Sequence, residues 1–243
     1  MAVIPIISLK GGVGKSTVAL NIADILSNKN SVLLVDTDPQ NSIASLLCKK
    51  YKKGIGELLK GEVSLEEIVI KIDKKKDFYM IPAGDYAITN PIEYEMLFSE
   101  NNLENFLKIV KDADFLIIDT SPRISKPIQT LLKYADFYLI VITPDPASVA
   151  SLDKFIEYLK INDFYKDFSV IVNKMEANDI SEDFYFIIQA LSKDNIIATL
   201  PKDIKVVEAE GNCMPIDKYA PNSAFSSFLK ELIEKLYKKI NEK

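Results

Sequence analysis

Short apolar runs recur along the chain, and most are followed by a polar or glycine-rich segment and then by apolar residues at helical spacing. A strand that is buried on both faces has few polar positions, so continuous apolar runs predict buried strands. The runs lie at residues 3–8, 31–36, 78–82, 115–119, 137–143, 168–173 and 196–200. Strands that alternate with helices predict the α/β fold class, with one doubly wound, mostly parallel sheet and helices on both faces.

Helical spacing of apolar residues predicts the helices between these strands. The predicted helices cover residues 18–26, 42–50, 54–60, 64–71, 102–111, 125–134, 148–161, 181–192 and 222–240. No repeat or linker interrupts the pattern, so we expect residues 1–243 to form a single domain. No apolar run approaches the roughly 18 residues of a transmembrane helix, and the N-terminus does not resemble a signal peptide. These features predict a cytoplasmic protein.

Polar segments follow the carboxyl ends of the predicted strands, at residues 10–17, 36–42 and 119–122 and at Asn173. In open parallel sheets, ligands bind beyond the carboxyl ends of the strands. We therefore expect these four segments to converge at one edge of the sheet and to form the ligand site.

Residues 10–17 read Lys-Gly-Gly-Val-Gly-Lys-Ser-Thr and stand between a predicted strand and a helix that begins near Lys15. Backbone N–H groups bind a triphosphate best where no Cβ obstructs them, and a helix start adds free N–H groups and a positive dipole end. This context predicts a phosphate-binding loop in which Lys15 reaches the β- and γ-phosphates and Ser16 places its hydroxyl on Mg²⁺. The predicted nucleotide-binding residues of the loop are Gly11, Gly12, Val13, Gly14, Lys15, Ser16 and Thr17.

Three aspartates follow buried strands beside this loop: Asp36, Asp38 and Asp119. Asp119 ends an apolar strand in the manner of a Walker B motif, so we expect it to hold Mg²⁺ through water, because Mg²⁺ keeps several of its waters. Asp36 and Asp38 are two residues apart in an irregular segment beside the phosphate loop, a pattern that favours a functional role. The alternative for Asp38 is that it only caps a helix that starts near Gln40.

Composition removes several classes of function. The chain has no histidine, so a histidine base or metal ligand is impossible. A net charge of −5 does not favour wholesale binding of nucleic acid, and with Arg123 as the single arginine, bidentate readout of guanine is largely unavailable. Cys48 and Cys213 are far apart in the sequence, and we expect two unpaired thiols rather than a disulfide, a metal pair or an iron–sulfur site.

The loop departs from the usual pattern G-x-x-x-x-G-K-[ST], because Leu9 stands where the first glycine is expected and Lys10 follows it. It matches K-G-G-x-G-K-[ST], the loop of the deviant Walker A ATPases. Residues 36–40 match that family's D-x-D-P-Q switch, residues 119–122 match its D-x-x-P segment, and residues 207–211 look like its E-A-x-x-x-G segment. The chain thus resembles the ParA/MinD family of P-loop ATPases over nearly its whole length, and most closely the ParA-type partition ATPases.

The resemblance implies an ATPase that uses ATP and Mg²⁺ and works as a homodimer with nucleotide sandwiched between its subunits. In that family the first lysine of the loop reaches the phosphates held by the partner subunit, a role that falls here on Lys10. The second acid of the switch positions the attacking water, which implies Asp38 for that role and places Asp36 nearer the metal.

The resemblance also implies a base-binding region. Asn173 would meet the base, and the segment around Pro201 and Asp203 would pack on its other side. An aspartate in an N-K-x-D pattern would mark guanine specificity, but Glu176 stands at that position. Glutamate can imitate aspartate in principle, so the preference for ATP over GTP rests mainly on the resemblance.

Three functions within this family remain open from the sequence. A ParA-like protein binds DNA without sequence preference and is stimulated by a ParB-like partner, whereas a MinD-like protein binds a membrane through an amphipathic C-terminal helix. A scaffold that binds nucleotide without significant turnover is the third. The apolar stripe of residues 222–240 suits a membrane helix, but we expect it to pack in the core. The ParA-like switch favours DNA partition, although residues 143–149 look more like MinD. The resemblance also implies weak intrinsic turnover.

Lysines are the candidate contacts for DNA phosphates. We single out Lys174, Lys202, Lys205, Lys218, Lys235, Lys238, Lys239 and Lys243. Arg123 beside the second switch could touch phosphate or the dimer partner, and a plain surface ion pair is the alternative.

Overall fold

The computed structural model describes residues 1–164, 168–193 and 195–241, and one eight-stranded sheet organises this part of the chain. The strands are β1 (Ala2–Ile7), β2 (Val32–Asp36), β3 (Ile70–Asp73), β4 (Phe78–Ile81), β5 (Phe115–Asp119), β6 (Tyr138–Ile142), β7 (Phe168–Met175) and β8 (Ile196–Pro201). Their order in the sheet is β3-β4-β2-β5-β1-β6-β7-β8. All neighbours are parallel except β3 and β4, which are antiparallel at one edge. The predicted doubly wound, mostly parallel sheet is confirmed.

One strand was not foreseen. The prediction of a helix over residues 64–71 is wrong beyond its first turn, because the helix ends at Ile68 and β3 follows at Ile70. Val69, Ile70 and Ile72 are β-branched and favour extended backbone. The edge of β4, where Met80 pairs with Ile70, supplies the hydrogen-bond partners that a local pattern does not reveal.

Helices cover both faces of the sheet. They are α1 (Lys15–Leu26), α2 (Ser42–Leu46), α3 (Ile55–Leu59), α4 (Leu65–Ile68), α5 (Asp85–Thr89), α6 (Pro91–Met96), α7 (Glu100–Ile109), α8 (Lys126–Tyr134), α9 (Pro146–Ile161), α10 (Asp179–Ser192), α11 (Ile204–Gly211), α12 (Ile216–Tyr219) and α13 (Ala224–Asn241). The predicted set lacks α5, α6, α11 and α12. Each of these spans about two turns or fewer, too few for apolar periodicity to be visible in the sequence.

Alternate residues of the strands enter apolar clusters on opposite faces of the sheet. Along β1, Ile4 and Ile6 join the cluster that contains α1 and α13, whereas Val3 and Ile7 join the clusters under α7, α8 and α9. This burial on both faces explains why the strands read as continuous apolar runs.

The last helix, α13, packs in the core, as expected. Its buried apolar side chains are Phe225, Leu229, Leu232, Ile233 and Leu236. Removing five such side chains from the core would cost about 10 kcal/mol, so this face is not available to a bilayer while the domain is folded. Within the described residues, no helix combines the length and apolarity needed to cross a membrane.

The cysteines are joined, and the prediction of two unpaired thiols is wrong. Cys48 and Cys213 form a disulfide with their Cα atoms 5.4 Å apart, although 165 positions separate them in the sequence. Sequence distance says nothing about spatial distance between two loops that the sheet brings to the same edge.

Both cysteines stand at helix ends that normally favour glycine. Cys48 follows α2 with φ 52° and Cys213 follows α11 with φ 59°, in the left-handed region. Each N–H returns to its helix, to Ser45 O and Glu210 O, and the next residue bonds one carbonyl further back, which makes two Schellman motifs. A side chain in this conformation costs about 1 kcal/mol relative to glycine.

Candidate nucleotide-binding site

A cavity of about 700 Å³ opens at the carboxyl edge of the sheet, and the segments predicted to converge line it. Its walls are the loop of residues 10–17, the α2 region, the end of β7, and the segment from Pro201 into α11. The volume lies within the range of 300–1,000 Å³ that is typical of small-molecule sites. The structure thus brings together the predicted phosphate, catalytic and base-binding residues, except that Asp36 and Asp119 lie buried behind the wall.

The phosphate loop depends on glycine at two positions. Gly12 has φ 79° and Gly14 has φ 88°, so both are left-handed. A Cβ on Gly14 would lie 2.4 Å from Asn173 Nδ2, whereas a Cβ on Gly12 would project into open space. The first turn of α1 begins directly after Gly14, and its free N–H groups are the donors that phosphate oxygens require.

Lys15 is bound inside the site by Asp119. Its Nζ lies 2.6 Å from Asp119 Oδ1, and both side chains are buried. Asp119 Oδ2 has no hydrogen-bond partner. A buried unsatisfied carboxylate oxygen is costly and marks a position for a further ligand.

Asp36 organises the first switch from the inside. It lies beside Asp119 in the register of β2 and β5. Its Oδ1 accepts the N–H of Asp38 and its Oδ2 accepts the N–H of Ile43, in the first turn of α2, each at 2.9 Å. Burial, and then the neighbouring Asp119 carboxylate, raise the pKa of Asp36 well above its usual value. Both carboxylate oxygens of Asp36, which was predicted to lie near Mg²⁺, thus accept backbone N–H groups of the first switch.

Asp38 lines the cavity and closes a short turn. Its Oδ1 accepts the N–H of Gln40 at 3.0 Å. The helix α2 starts at Ser42 with Asn41 as its N-cap residue, so Asp38 does not cap it. Burial raises the pKa of Asp38, an effect that the charge of Lys15 opposes. The carboxylate therefore faces the cavity as a stronger base than an exposed aspartate.

Two further residues, which sequence reasoning missed, support the first switch. Thr37 donates both its N–H and its hydroxyl to the carbonyl oxygen of Asp119, at 2.9 and 2.8 Å. Tyr94 on α6 is fully buried, and its hydroxyl donates to the carbonyl oxygen of Thr37 at 3.2 Å. Burial, then the charges of Asp36 and Asp38, raise the pKa of Tyr94 well above its usual value, so it remains a donor.

Lys10 is paired within its own chain. Its Nζ lies 2.8 Å from Oδ2 of Asp145, the N-cap residue of α9, and the Lys10 side chain is 37% exposed. Burial alone would raise the pKa of Asp145. The Lys10 ammonium and hydrogen bonds from Thr143 and Ser148 outweigh it and hold this pKa well below its usual value. The MinD-like stretch noted in the sequence thus supplies the counter-ion of the first loop lysine.

The end of β7 supports the phosphate loop. Asn173 Nδ2 donates to the carbonyl oxygen of Val13 at 2.8 Å, and Lys174 Nζ donates to that of Gly12 at 2.7 Å. Asn173 is 3% exposed, and its Oδ1 has no partner. Asn173 thus lines the cavity with one amide N–H used by the loop and with a buried amide oxygen that lacks a partner.

The opposite wall is built by the start of α11. Pro201 and Asp203 line the cavity, and the carboxylate of Asp203 accepts the N–H groups of Lys205 and Phe225. Thr17 donates its hydroxyl to Glu210 on α11 at 2.6 Å, so its side chain joins the loop to this wall.

The donor set fits Mg²⁺. Ser16, Asp36 and Asp119 offer oxygen atoms only, which Mg²⁺ prefers, and the orphaned Oδ2 of Asp119 is the strongest indication. The described residues contain no group of three or more acidic or cysteine side chains that could hold a metal by themselves.

Most of the candidate DNA-binding lysines already have partners in the fold. Lys202 pairs with Glu176, Lys205 with Glu208, and Lys218 with Asp73. Lys174, Lys235 and Lys239 donate to main-chain or hydroxyl oxygens. Lys238 lies in the last turn of α13, and Lys243 lies outside the described residues. Arg123 pairs with Glu95 on α6, which is the surface ion pair named as the alternative.

Comparison with known proteins identifies a family model and relatives that match this chain. The family model of the AAA domain matches residues 1–173. A virulence plasmid ParA family protein of Chlamydia psittaci is 26% identical over 96% of this chain and 93% of its own length. The septum site-determining protein MinD of Thermotoga maritima is 25% identical over 88% of this chain and 80% of its own length.

A solved structure extends the likeness to the whole fold. The plasmid partition protein of Borrelia burgdorferi B31, bound to AMPPNP, superimposes with a TM-score of 0.83 and 25% sequence identity. The match covers 98% of this chain and 99% of that protein. The chain therefore belongs to the AAA domain family, as a deviant Walker A P-loop protein of the ParA/MinD group.

Proposed function

We propose that the chain is a Mg²⁺- and ATP-dependent ATPase that dimerises around bound nucleotide and acts as a switch in the partition of plasmid or chromosomal DNA. The two loop lysines carry the proposal. Lys15 is buried in its own site, whereas Lys10 is partly exposed and paired with Asp145. We infer that the Lys10 ammonium, which lies at the surface, binds the phosphates of the nucleotide held by a second subunit.

The residues of one subunit divide the work. Lys15 would bind the phosphates, and Asp119 and Ser16 would hold Mg²⁺, with Asp36 close by. The ion would supply positive charge beside the phosphate oxygens. Asp38 lines the cavity and orients the attacking water, with its raised pKa suited to receiving a proton. We expect weak intrinsic turnover that a partner protein stimulates.

The side chain of Asn173 explains why the site would prefer adenine to guanine. One N–H of its Nδ2 is bound to Val13, and its Oδ1, which can only accept a hydrogen bond, lacks a partner. We propose that the base meets this oxygen and not the second N–H of Nδ2. The 6-position of adenine carries an amino donor, whereas that of guanine carries a carbonyl acceptor. AMPPNP, an ATP analogue, is bound to the Borrelia relative, which supports the same preference.

We expect ATP to bind at least about 10-fold more tightly than ITP, which differs from ATP mainly by a carbonyl in place of the 6-amino group. Two facing acceptors repel each other, and the buried Oδ1 stays unsatisfied. Competition with a fluorescent ATP analogue measures the ratio. Equal affinities for ATP, ITP and GTP would show that Asn173 does not read the base.

Replacing Lys10 tests the dimer. We expect Lys10→Ala to bind ATP as the parent does, but to stay monomeric with ATP and to lose hydrolysis. Sedimentation with ATP and with ADP gives the oligomeric state, and a fluorescent ATP analogue gives the affinity.

Asp145→Asn is the matched control. It removes the counter-ion of Lys10 but keeps the side chain that caps α9, so the ATP dimer should persist or strengthen. Normal turnover and an ATP dimer in Lys10→Ala would refute the sandwich.

A MinD-like role is the second candidate, because the Thermotoga relative is MinD and the Asp145 segment resembles MinD. Co-sedimentation of the full chain with DNA and with anionic liposomes, each with ATP or ADP, separates the two. We expect DNA to pellet the protein only with ATP, and less so as salt rises. Liposome binding with ATP and no DNA binding would select MinD. Deleting α13 is not a usable test, because its apolar face is in the core.

We also propose that residues 1–243 act as one P-loop domain. A single sheet with strands from Ala2 to Pro201, and α13 packed on it, supports this. If DNA is the track, the protein is cytoplasmic and associates with the nucleoid, and the stimulating partner is a ParB-like protein. Most candidate lysines are paired within one subunit. We therefore expect DNA to bind to a surface that two subunits form together in the dimer.

A further inference from the structure

The disulfide joins two walls of the nucleotide cavity. Cys48 lies two residues beyond α2, whose Ser42, Ser45 and Leu46 line one side. Cys213 lies two residues beyond α11, whose Val206, Val207 and Glu210 line the other. The bond therefore connects the segment that follows the first switch to the segment that faces the bound base.

The cysteines are not explained by local structure. Both occupy the left-handed position after a helix, where glycine is the favoured residue and a side chain is strained. Neither is needed to end its helix, because the backbone hydrogen bonds of the Schellman motif do that. Two strained cysteines that meet each other indicate that the bond between them has its own purpose.

The bond lies at the surface of the domain. Cys48 is exposed and Cys213 is half-buried, so neither cysteine belongs to the buried core. This position is typical of disulfides that are reduced and reformed, in contrast to bonds sealed in a core.

We propose that Cys48 and Cys213 form a redox site that controls nucleotide release, an inference that rests on the proposed ATP site. The reductant is a dithiol. One of its thiolates attacks a cysteine Sγ, the other cysteine leaves as a thiolate, and the second thiolate of the reductant displaces the first cysteine. Two electrons and two protons pass to the protein, which gains two S–H groups, and the reductant becomes a cyclic disulfide.

The bond acts on both walls at once. While it is intact, the C-terminal ends of α2 and α11 are fixed to each other across the cavity, and nucleotide leaves slowly. Once it is reduced, the two helix ends lose their covalent link and can move apart. Ile43 and Ala44 of α2 stay in the core, and α11 stays attached to the phosphate loop through the Thr17–Glu210 hydrogen bond, so the movement is confined to the ends that carry Cys48 and Cys213.

The test compares release of a fluorescent ATP analogue from the oxidised and the dithiothreitol-reduced protein by stopped flow. We expect release to be at least about 5-fold faster after reduction. Thiol titration under denaturing conditions should find none in the oxidised protein and two in the reduced one. Two free thiols in protein that was never exposed to reductant, and that was kept in air, would overturn the proposal.

The matched control is the double variant Cys48→Gly and Cys213→Gly, which removes the bond and suits the left-handed backbone. It should melt no lower than the reduced parent, release nucleotide at the reduced parent's rate and ignore dithiothreitol. Tight binding with equal release in both redox states overturns the redox control alone. Absence of binding in both states overturns the proposed ATP site, and the control with it.

Discussion

Lys15→Ala is expected to weaken ATP binding about 100-fold or more, because the phosphate loop loses its only buried cation. The same change leaves the Asp119 carboxylate buried without the Lys15 ammonium, which lies 2.6 Å from it in the parent. Removing one partner of such a pair costs about 3–5 kcal/mol, out of the 5–15 kcal/mol typical of a domain. Titration of a fluorescent ATP analogue and thermal unfolding must therefore be measured together.

A second variant separates binding from folding. Lys15→Met combined with Asp119→Asn removes both charges and keeps the side-chain volumes similar, so stability should return toward the parent. ATP binding should stay lost. A folded Lys15 variant that binds ATP within about 10-fold of the parent would contradict the assignment of Lys15 to the phosphates.

Asp38→Ala is the second large effect. We expect turnover to fall by about 100-fold or more while ATP still binds, because only the group that positions the attacking water is lost. The ATP dimer then accumulates, since hydrolysis no longer separates the subunits. Phosphate release and sedimentation with ATP measure the two parts of the result.

Asp38→Asn is the matched control, because its amide oxygen can still accept the N–H of Gln40 and keep the turn. If the carboxylate acts on water, Asp38→Asn is as inactive as Asp38→Ala. If Asp38 matters only for the turn, Asp38→Asn keeps its activity. An Asp38→Ala protein that remains monomeric with ATP would refute the proposed role in another way.

The parts of the site that could be predicted from sequence are those that a motif of consecutive residues specifies. The phosphate loop and the strand that ends at Asp119 each have a local pattern that the backbone requires, and both lie where expected. The alternation of strands and helices also fixed the fold class, because each element carries its own periodicity.

What was missed depends on pairs that are distant in sequence. Lys10 and Asp145 are 135 residues apart, and Cys48 and Cys213 are 165 apart. Tyr94 reaches Thr37 from α6, a helix too short for its periodicity to be visible. Such contacts depend on where the sheet order places each loop, which is a property of the whole chain and of no single segment.

The two side chains at the end of β7, Asn173 and Lys174, fix the orientation of peptide groups in the phosphate loop. In a trans peptide, the carbonyl and the following N–H point in opposite directions, and the described residues contain no cis peptide. Because Lys174 and Asn173 bind the carbonyls of Gly12 and Val13, the N–H groups of Val13 and Gly14 turn away from β7 before any nucleotide arrives. The conformational entropy of ordering these peptides is thus lost during folding and not during binding, so the loop is preorganised.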